Sequence, residues 1–220
     1  MIELVPVLHE ELPAFGVIDV RERLLRGGLP PALLTPERNR EFYGEWLDSY
    51  FARDVQELFR LGKRAGFLRL LELLFRQSGG MLDATKLAAE SQVSRPTVAK
   101  WLEVYQATHA VHLVRPFAGG GRREIIAQPR VFGFDTGFVA YARGWDSLRA
   151  EDCGLLWEHL ILDALVAAGL PRLHFWRDKQ QREVDFVVSP LHGSGYARTM
   201  SGFKVEFVSP AELRASFMEP

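Results

Sequence analysis

Residues 85–108 read TKLAAESQVSRPTVAKWLEVYQAT, and two helices separated by a short polar turn are written in that stretch. Leu87, Ala88 and Ala89 give residues 85–91 a short apolar helical face. The turn Ser91-Gln92-Val93 leads to Ser94, whose hydroxyl is suited to cap the next helix, with Pro96 tolerated in its first turn. That helix is expected to run to about Thr108 and to bury Val98, Trp101, Leu102 and Tyr105. Helix, three-residue turn, helix is the helix-turn-helix arrangement.

The flanks extend the same pattern. Upstream, residues 66–76 are apolar almost all round (Phe67, Leu68, Leu70, Leu71, Leu73, Leu74, Phe75), which predicts a core helix stopped at Gly79-Gly80. Downstream, 111–117 and 122–134 alternate as strands do, and Ala118-Gly119-Gly120-Gly121 supplies a hairpin connection. A hairpin directly after the third helix makes a wing, so residues 62–134 are expected to form a winged helix.

Outside that unit, Phe42, Trp46, Leu47, Tyr50, Phe51, Val55 and Leu58 recur every three or four positions and predict a long amphipathic helix over 37–61. Residues 1–36 carry Pro6, Pro13, Gly16, Gly27, Gly28, Pro30 and Pro31, with a short helical pattern only around Val20 to Leu25, and read as a connector. After the wing come a helix (155–168), strands at 173–177, 183–188 and 203–208, and a Gly/Ser-rich stretch at 192–195. Residues 135–220 are therefore read as a small α/β unit.

The bulk numbers fit an ordinary globular chain. Of 220 residues 47% are apolar, enough for one large core or two small ones, and 27 basic residues against 28 acidic leave a net charge of −1. The single cysteine, Cys153, has no partner for an internal disulfide, which fits a reducing compartment. No signal-peptide pattern is present, and the most apolar run, 154–170, is interrupted by Glu158, His159 and Asp163. A cytoplasmic protein with no membrane partner is expected.

Charge is unevenly spread. Residues 63–130 hold 11 basic and 5 acidic residues, so the basic surface is concentrated in the expected winged helix. Arg95, Thr97 and Lys100 turn away from the apolar face of its third helix and are placed to meet a major groove, while Arg122 and Arg123 follow the hairpin tip and are placed to meet phosphates. The same fold also serves as a protein-docking module, so both readings stand.

Two carboxylates invite a second chemistry. Glu158 lies on the helix before two strands, and Asp185 lies in a strand otherwise apolar at Phe186, Val187 and Val188. Converging carboxylates hold Mg²⁺ in metal-dependent phosphodiesterases. Alternatively, Asp185 pairs with Arg177 or Arg182 at the sheet edge. The six histidines lack zinc-site spacing, and no GxxxxGK[ST] stretch occurs, because Gly119-Gly120-Gly121 runs into Arg122-Arg123. No cofactor is expected in this chain.

Five segments in order carry a family resemblance: Arg26-Gly27-Gly28-Leu29-Pro30, residues 46–55 (WLDSYFARDV), residues 128–137 (QPRVFGFDTG), Phe175-Trp176-Arg177-Asp178 and Glu183-Val184-Asp185-Phe186. Together they resemble, from about Gly27 to Val188, the C-terminal half of bacterial and archaeal AAA-type ATPases, the domain of unknown function 4143. The resemblance implies an N-terminal P-loop ATPase, then helices and a winged helix, then a restriction-endonuclease-like domain. It implies that ATP and Mg²⁺ belong to the ATPase half, which this chain, beginning within the connector, lacks. Glu158 and Asp185 match the first two acidic positions of the nuclease-like pattern. The Glu-x-Lys strand that should follow is replaced by Ser189-Pro190-Leu191-His192-Gly193, with Glu206 the nearest other carboxylate, so an internal truncation of residues 135–220 is implied.

The expectation from sequence is thus an α+β chain: a helical segment, a winged helix-turn-helix and a partial restriction-endonuclease-like unit. Its function would be that of a non-catalytic DNA-binding or regulatory module of an ATP-binding protein. The alternatives are a metal-dependent nuclease using Glu158 and Asp185, and a winged helix that docks its own ATPase half or a sister subunit without DNA.

Overall fold

A computed structural model of the chain describes residues 5–17, 19–35, 37–59, 63–117, 128–170, 172–177 and 183–188 in full, and 196–200 and 204–208 by their backbone. The fold is α+β and divides into two compact units, residues 1–113 with 131–164, and residues 114–130 with 165–220. The boundaries expected at 36, 61 and 134 are not where the units part.

The first unit begins with a 3-10 helix, His9–Phe15, followed by α1 (Val20–Arg26) and α2 (Pro30–Leu34). Asp19 caps α1 by accepting from the Arg21 N–H, and Pro30 and Pro31 open α2, where a missing N–H costs nothing. The stretch read as a connector is therefore structured and packed: Val7, Leu12, Val17 and Leu33 form a small core, and Leu24 joins Val139, Leu156 and Leu160. Its glycines and prolines mark caps and close approaches rather than a tether.

The expected long helix is present in three parts, α3 (Arg40–Tyr50), a π-turn (Phe51–Val55) and α4 (Gln56–Phe59). The π-turn inserts one residue per turn and so rotates the apolar stripe. Phe51 and Val55 stay buried through it. Then follow α5 (Arg64–Arg76), α6 (Ala84–Ser91) and α7 (Arg95–Ala107), with strands β1 (Val111–Pro116) and β2 (Arg130–Gly133). Phe67, Leu70, Leu71, Leu74 and Phe75 of α5 are fully buried, each contributing on the order of 2 kcal/mol. Phe67 lies 4.4 Å from the Tyr105 ring, centroid to centroid, and the Tyr105 hydroxyl donates to the Phe67 carbonyl at 2.6 Å.

After α5 the chain turns through Ser78-Gly79-Gly80 and touches β2, with Gly79 N–H donating to Val131 O (2.7 Å) and Val131 N–H to Gly80 O (3.0 Å). Two further helices complete the unit, α8 (Thr136–Arg143) and α9 (Ala150–Ala167). The sequence reading had no element at α8. Thr136 through Ala140 are all buried, so the helix lacks the exposed face that makes periodicity visible.

In the second unit the end of β1 pairs in parallel with β3 (Leu173–Arg177), at Arg115 with His174 and Pro116 with Phe175. The strand β4 (Glu183–Val188) is antiparallel to β3, β5 (Tyr196–Met200) to β4, and β6 (Lys204–Val208) to β5. The order along the whole sheet is β2-β1-β3-β4-β5-β6, a mixed sheet. Strands β3 and β4 have the bounds expected of them, whereas β5 was not foreseen. With β5 beside it, β4 has a neighbour on both edges, although the strand that follows it carries no Glu-x-Lys.

Candidate functional site

The turn between α6 and α7 is built from caps. Asp83 opens α6 by accepting from Thr85 N–H (2.9 Å) and Lys86 N–H (3.0 Å). Gln92, at φ +58, closes α6 in the left-handed region, and Val93 N–H returns to Ala88 O at 3.1 Å. Ser94 then caps α7 by accepting from Thr97 N–H at 3.3 Å, while the Ser94 and Thr97 hydroxyls share a hydrogen bond of 2.8 Å. Val98, Trp101, Leu102, Val104 and Tyr105 bury one face. On the other, Arg95, Lys100 and Glu103 are exposed and Thr97 is half-buried. The first two turns of α7 thus present two cations and a hydroxyl near the positive end of a helix of 13 residues. Three of the five residues expected to contact DNA are brought together here; Arg122 and Arg123 lie outside the described residues.

The expected carboxylates are placed apart in kind. Glu158 is half-buried on α9 in the first unit, and Asp185 lies on β4 in the second. Asp185 accepts from Arg130 at 3.5 Å, and the same guanidinium meets Glu183 at 3.0 Å. Arg177 turns to Glu183, at 3.8 Å, rather than to Asp185. Arg182 and the Glu206 side chain lie outside the described residues. Among the described residues no three His, Cys, Asp or Glu side chains are grouped to hold a metal ion, and no helix is long and apolar enough to cross a membrane.

Two buried polar clusters in the first unit were not foreseen. Arg23 is fully buried, donating through Nε to Val7 O (2.8 Å), through Nη1 to Thr136 Oγ1 (2.9 Å) and through Nη2 to Asp163 Oδ2 (3.1 Å). Beside it Asp135 caps α8, accepting from Gly28 N–H at 2.6 Å and Gly137 N–H at 2.8 Å. Burial pushes the Asp135 carboxyl up, against the pull of Arg23 and its N–H donors. The second cluster joins Ser78, His159 and Gly133. A carbonyl can only accept, so His159 Nδ1 donates to Leu155 O (3.1 Å), which in the neutral ring leaves Nε2 to accept from Ser78 Oγ (2.8 Å). Ser78 Oγ in turn accepts from Gly133 N–H at 2.7 Å. Both side chains are sealed from solvent, at 0% and 1% exposure, so the pair is a tie between segments and offers no nucleophile.

A signal for the first cluster was present in the sequence. Asp163 interrupts the most apolar run of the chain, and Arg26-Gly27-Gly28 and Phe134-Asp135-Thr136-Gly137 are among the segments that carry the family resemblance.

A family model described as domain of unknown function (DUF8612) matches residues 17–149, and one described as domain of unknown function (DUF4143) matches residues 153–197. No curated protein and no solved structure matches the chain. The resemblance read from Gly27 to Val188 as a single family thus divides. Its first three segments lie within the DUF8612 match, and Phe175–Asp178 and Glu183–Phe186 lie within the shorter DUF4143 match.

Proposed function

We propose, for a chain that belongs to the family described as domain of unknown function DUF8612, that it is a non-catalytic module that binds double-stranded DNA. Residues 62–134 act as a winged helix with α7 as its recognition helix. The observation that carries this reading is the exposed first half of α7, where Arg95, Thr97 and Lys100 project from a helix that a three-residue turn sets after α6. The concentration of 11 basic residues over 63–130 supports it, in a chain of net charge −1.

In this reading Arg95, Thr97 and Lys100 enter the major groove, where the Lys100 ammonium also neutralises a flanking phosphate, and Arg122 and Arg123 meet phosphates. The match of residues 153–197 to DUF4143, with the ordered segments that resemble AAA-type ATPases, supports a P-loop ATPase as the partner that the module regulates. ATP and Mg²⁺ belong to that partner. The engagement of Asp185 by Arg130 supports a structural rather than catalytic use of that carboxylate.

The test is a duplex-DNA titration at several salt concentrations. Binding should weaken as salt rises, and Lys100→Ala or Arg122→Ala should each reduce the slope of log K against log salt by about 1. Arg95→Ala should cost about 1–3 kcal/mol and relax sequence preference. No binding at low salt would overturn the reading in favour of a docking module, and Mg²⁺-dependent cleavage lost on Asp185→Ala would overturn it in favour of a nuclease.

A further inference from the structure

The cluster around Arg23 holds one guanidinium and two carboxylates, with Arg23, Asp135 and Asp163 at 0%, 1% and 4% exposure. An unbalanced buried charge is among the most costly features a folded chain can keep, and a carboxyl avoids it by binding a proton. The two carboxyls are not equally served. Asp135 faces the backbone N–H groups of Gly28, Gly137 and Phe138, all of which favour its charged form, whereas Asp163 meets one N–H of Arg23. The charged and titratable groups around Asp163 are Arg23 from α1, Asp135 from the start of α8 and, one turn earlier on α9, His159, whose ring is engaged by Ser78 and Leu155. The remaining Arg23 nitrogens are taken by the Val7 carbonyl and the Thr136 hydroxyl.

We infer that Arg23, Asp135 and Asp163 form a proton-dependent latch: a proton on Asp163 clamps residues 5–29 to α8 and α9, and its loss sets two buried carboxylates against each other and loosens that segment. Burial and the Asp135 charge push the Asp163 carboxyl up to about 7, against Arg23, from an ordinary value of 3.8. A carboxyl raised on folding binds its proton more tightly in the closed state. The latch is therefore fully set below about pH 3.8, weakens as pH rises, and is loosest above about pH 7.

The test is hydrogen exchange on the full chain, followed at the Gly28 amide, whose bond to Asp135 Oδ2 crosses from this segment to the start of α8. After correction for intrinsic exchange, opening of this segment should increase about tenfold from pH 6 to pH 8. In Asp163→Asn, a neutral side chain of the same shape, it should not change with pH. The same rise in both proteins would overturn the latch, as would no rise in the wild type. If the variant does not fold, the carboxyl carbon of Asp163 in the wild type decides by NMR: titration near pH 7 upholds the latch, and titration in the usual carboxylate range refutes it.

Discussion

Gly27→Ala should be among the most damaging single-methyl additions available in this chain. Gly27 sits at φ +82 and ψ −176, a backbone region that is essentially closed to residues with a Cβ, and occupying it costs about 1–3 kcal/mol. A Cβ there would stand 2.0 Å from Asp135 Oδ1 and 2.7 Å from its Cγ. The carboxylate cannot swing aside freely, because it accepts from Gly28 N–H and Gly137 N–H, and each buried N–H abandoned costs about 1–3 kcal/mol. Backbone strain and one lost hydrogen bond together give a loss of about 2–6 kcal/mol, a large part of the 5–15 kcal/mol typical of a folded domain. Gly16→Ala is the matched control: Gly16 also has positive φ, at +73, but nothing lies within 4 Å of its would-be Cβ, so strain alone should cost about 1–2 kcal/mol. Urea unfolding followed by tryptophan fluorescence measures both. Equal losses at the two positions would refute the argument that Gly27 is required by the close approach of Asp135.

Ser78→Ala leaves the Gly133 N–H and His159 Nε2 without their shared partner and should destabilise by about 2–4 kcal/mol in the same urea assay; a loss below 1 kcal/mol would mean that the tie contributes little. Asp83→Ala removes the oxygen that holds the Thr85 and Lys86 amides, and should cost about 1 kcal/mol with faster exchange confined to the first turn of α6.

The parts of this fold that were legible share a local cause. Strands β3 and β4 are short apolar runs between turn residues, and α6 and α7 carry their caps beside their apolar faces, so each is written within about 15 residues. The parts that were not legible depend on partners far along the chain. Arg23 meets Thr136 and Asp163 at separations of 113 and 140 residues. From sequence alone the glycines and prolines around it therefore read as a loose connector. Helix α8 was missed although Asp135 and Gly144 mark its ends, because burial on nearly every side removes the polar positions that define a helical period. Strand β5 is built from Tyr196-Ala197-Arg198-Thr199-Met200, which lacks the alternation that betrays a strand.

The candidate site divides along the same line. Exposure of Arg95 and Lys100 follows from helical periodicity alone, so those residues could be placed without the structure. The segments that carry the family resemblance are different residues with different work. Gly27, Gly28, Asp135, Thr136 and Gly137 belong to the buried Arg23 cluster or pack against it, and Leu47, Tyr50, Phe51 and Val55 are core. What the first three of those segments report is how the first unit is tied together, and a tie of this kind is compatible with many functions. The DNA reading rests on α7, which none of the five segments includes. The two can be separated by variants: Arg23→Met strips two buried carboxylates of their cation and should destabilise by about 3–5 kcal/mol, yet leave the salt slope of the folded fraction unchanged. Lys100→Ala should flatten that slope and leave unfolding within about 0.5 kcal/mol of the wild type. If both variants shifted both measurements together, the α7 face would not be acting as a surface independent of the fold that presents it.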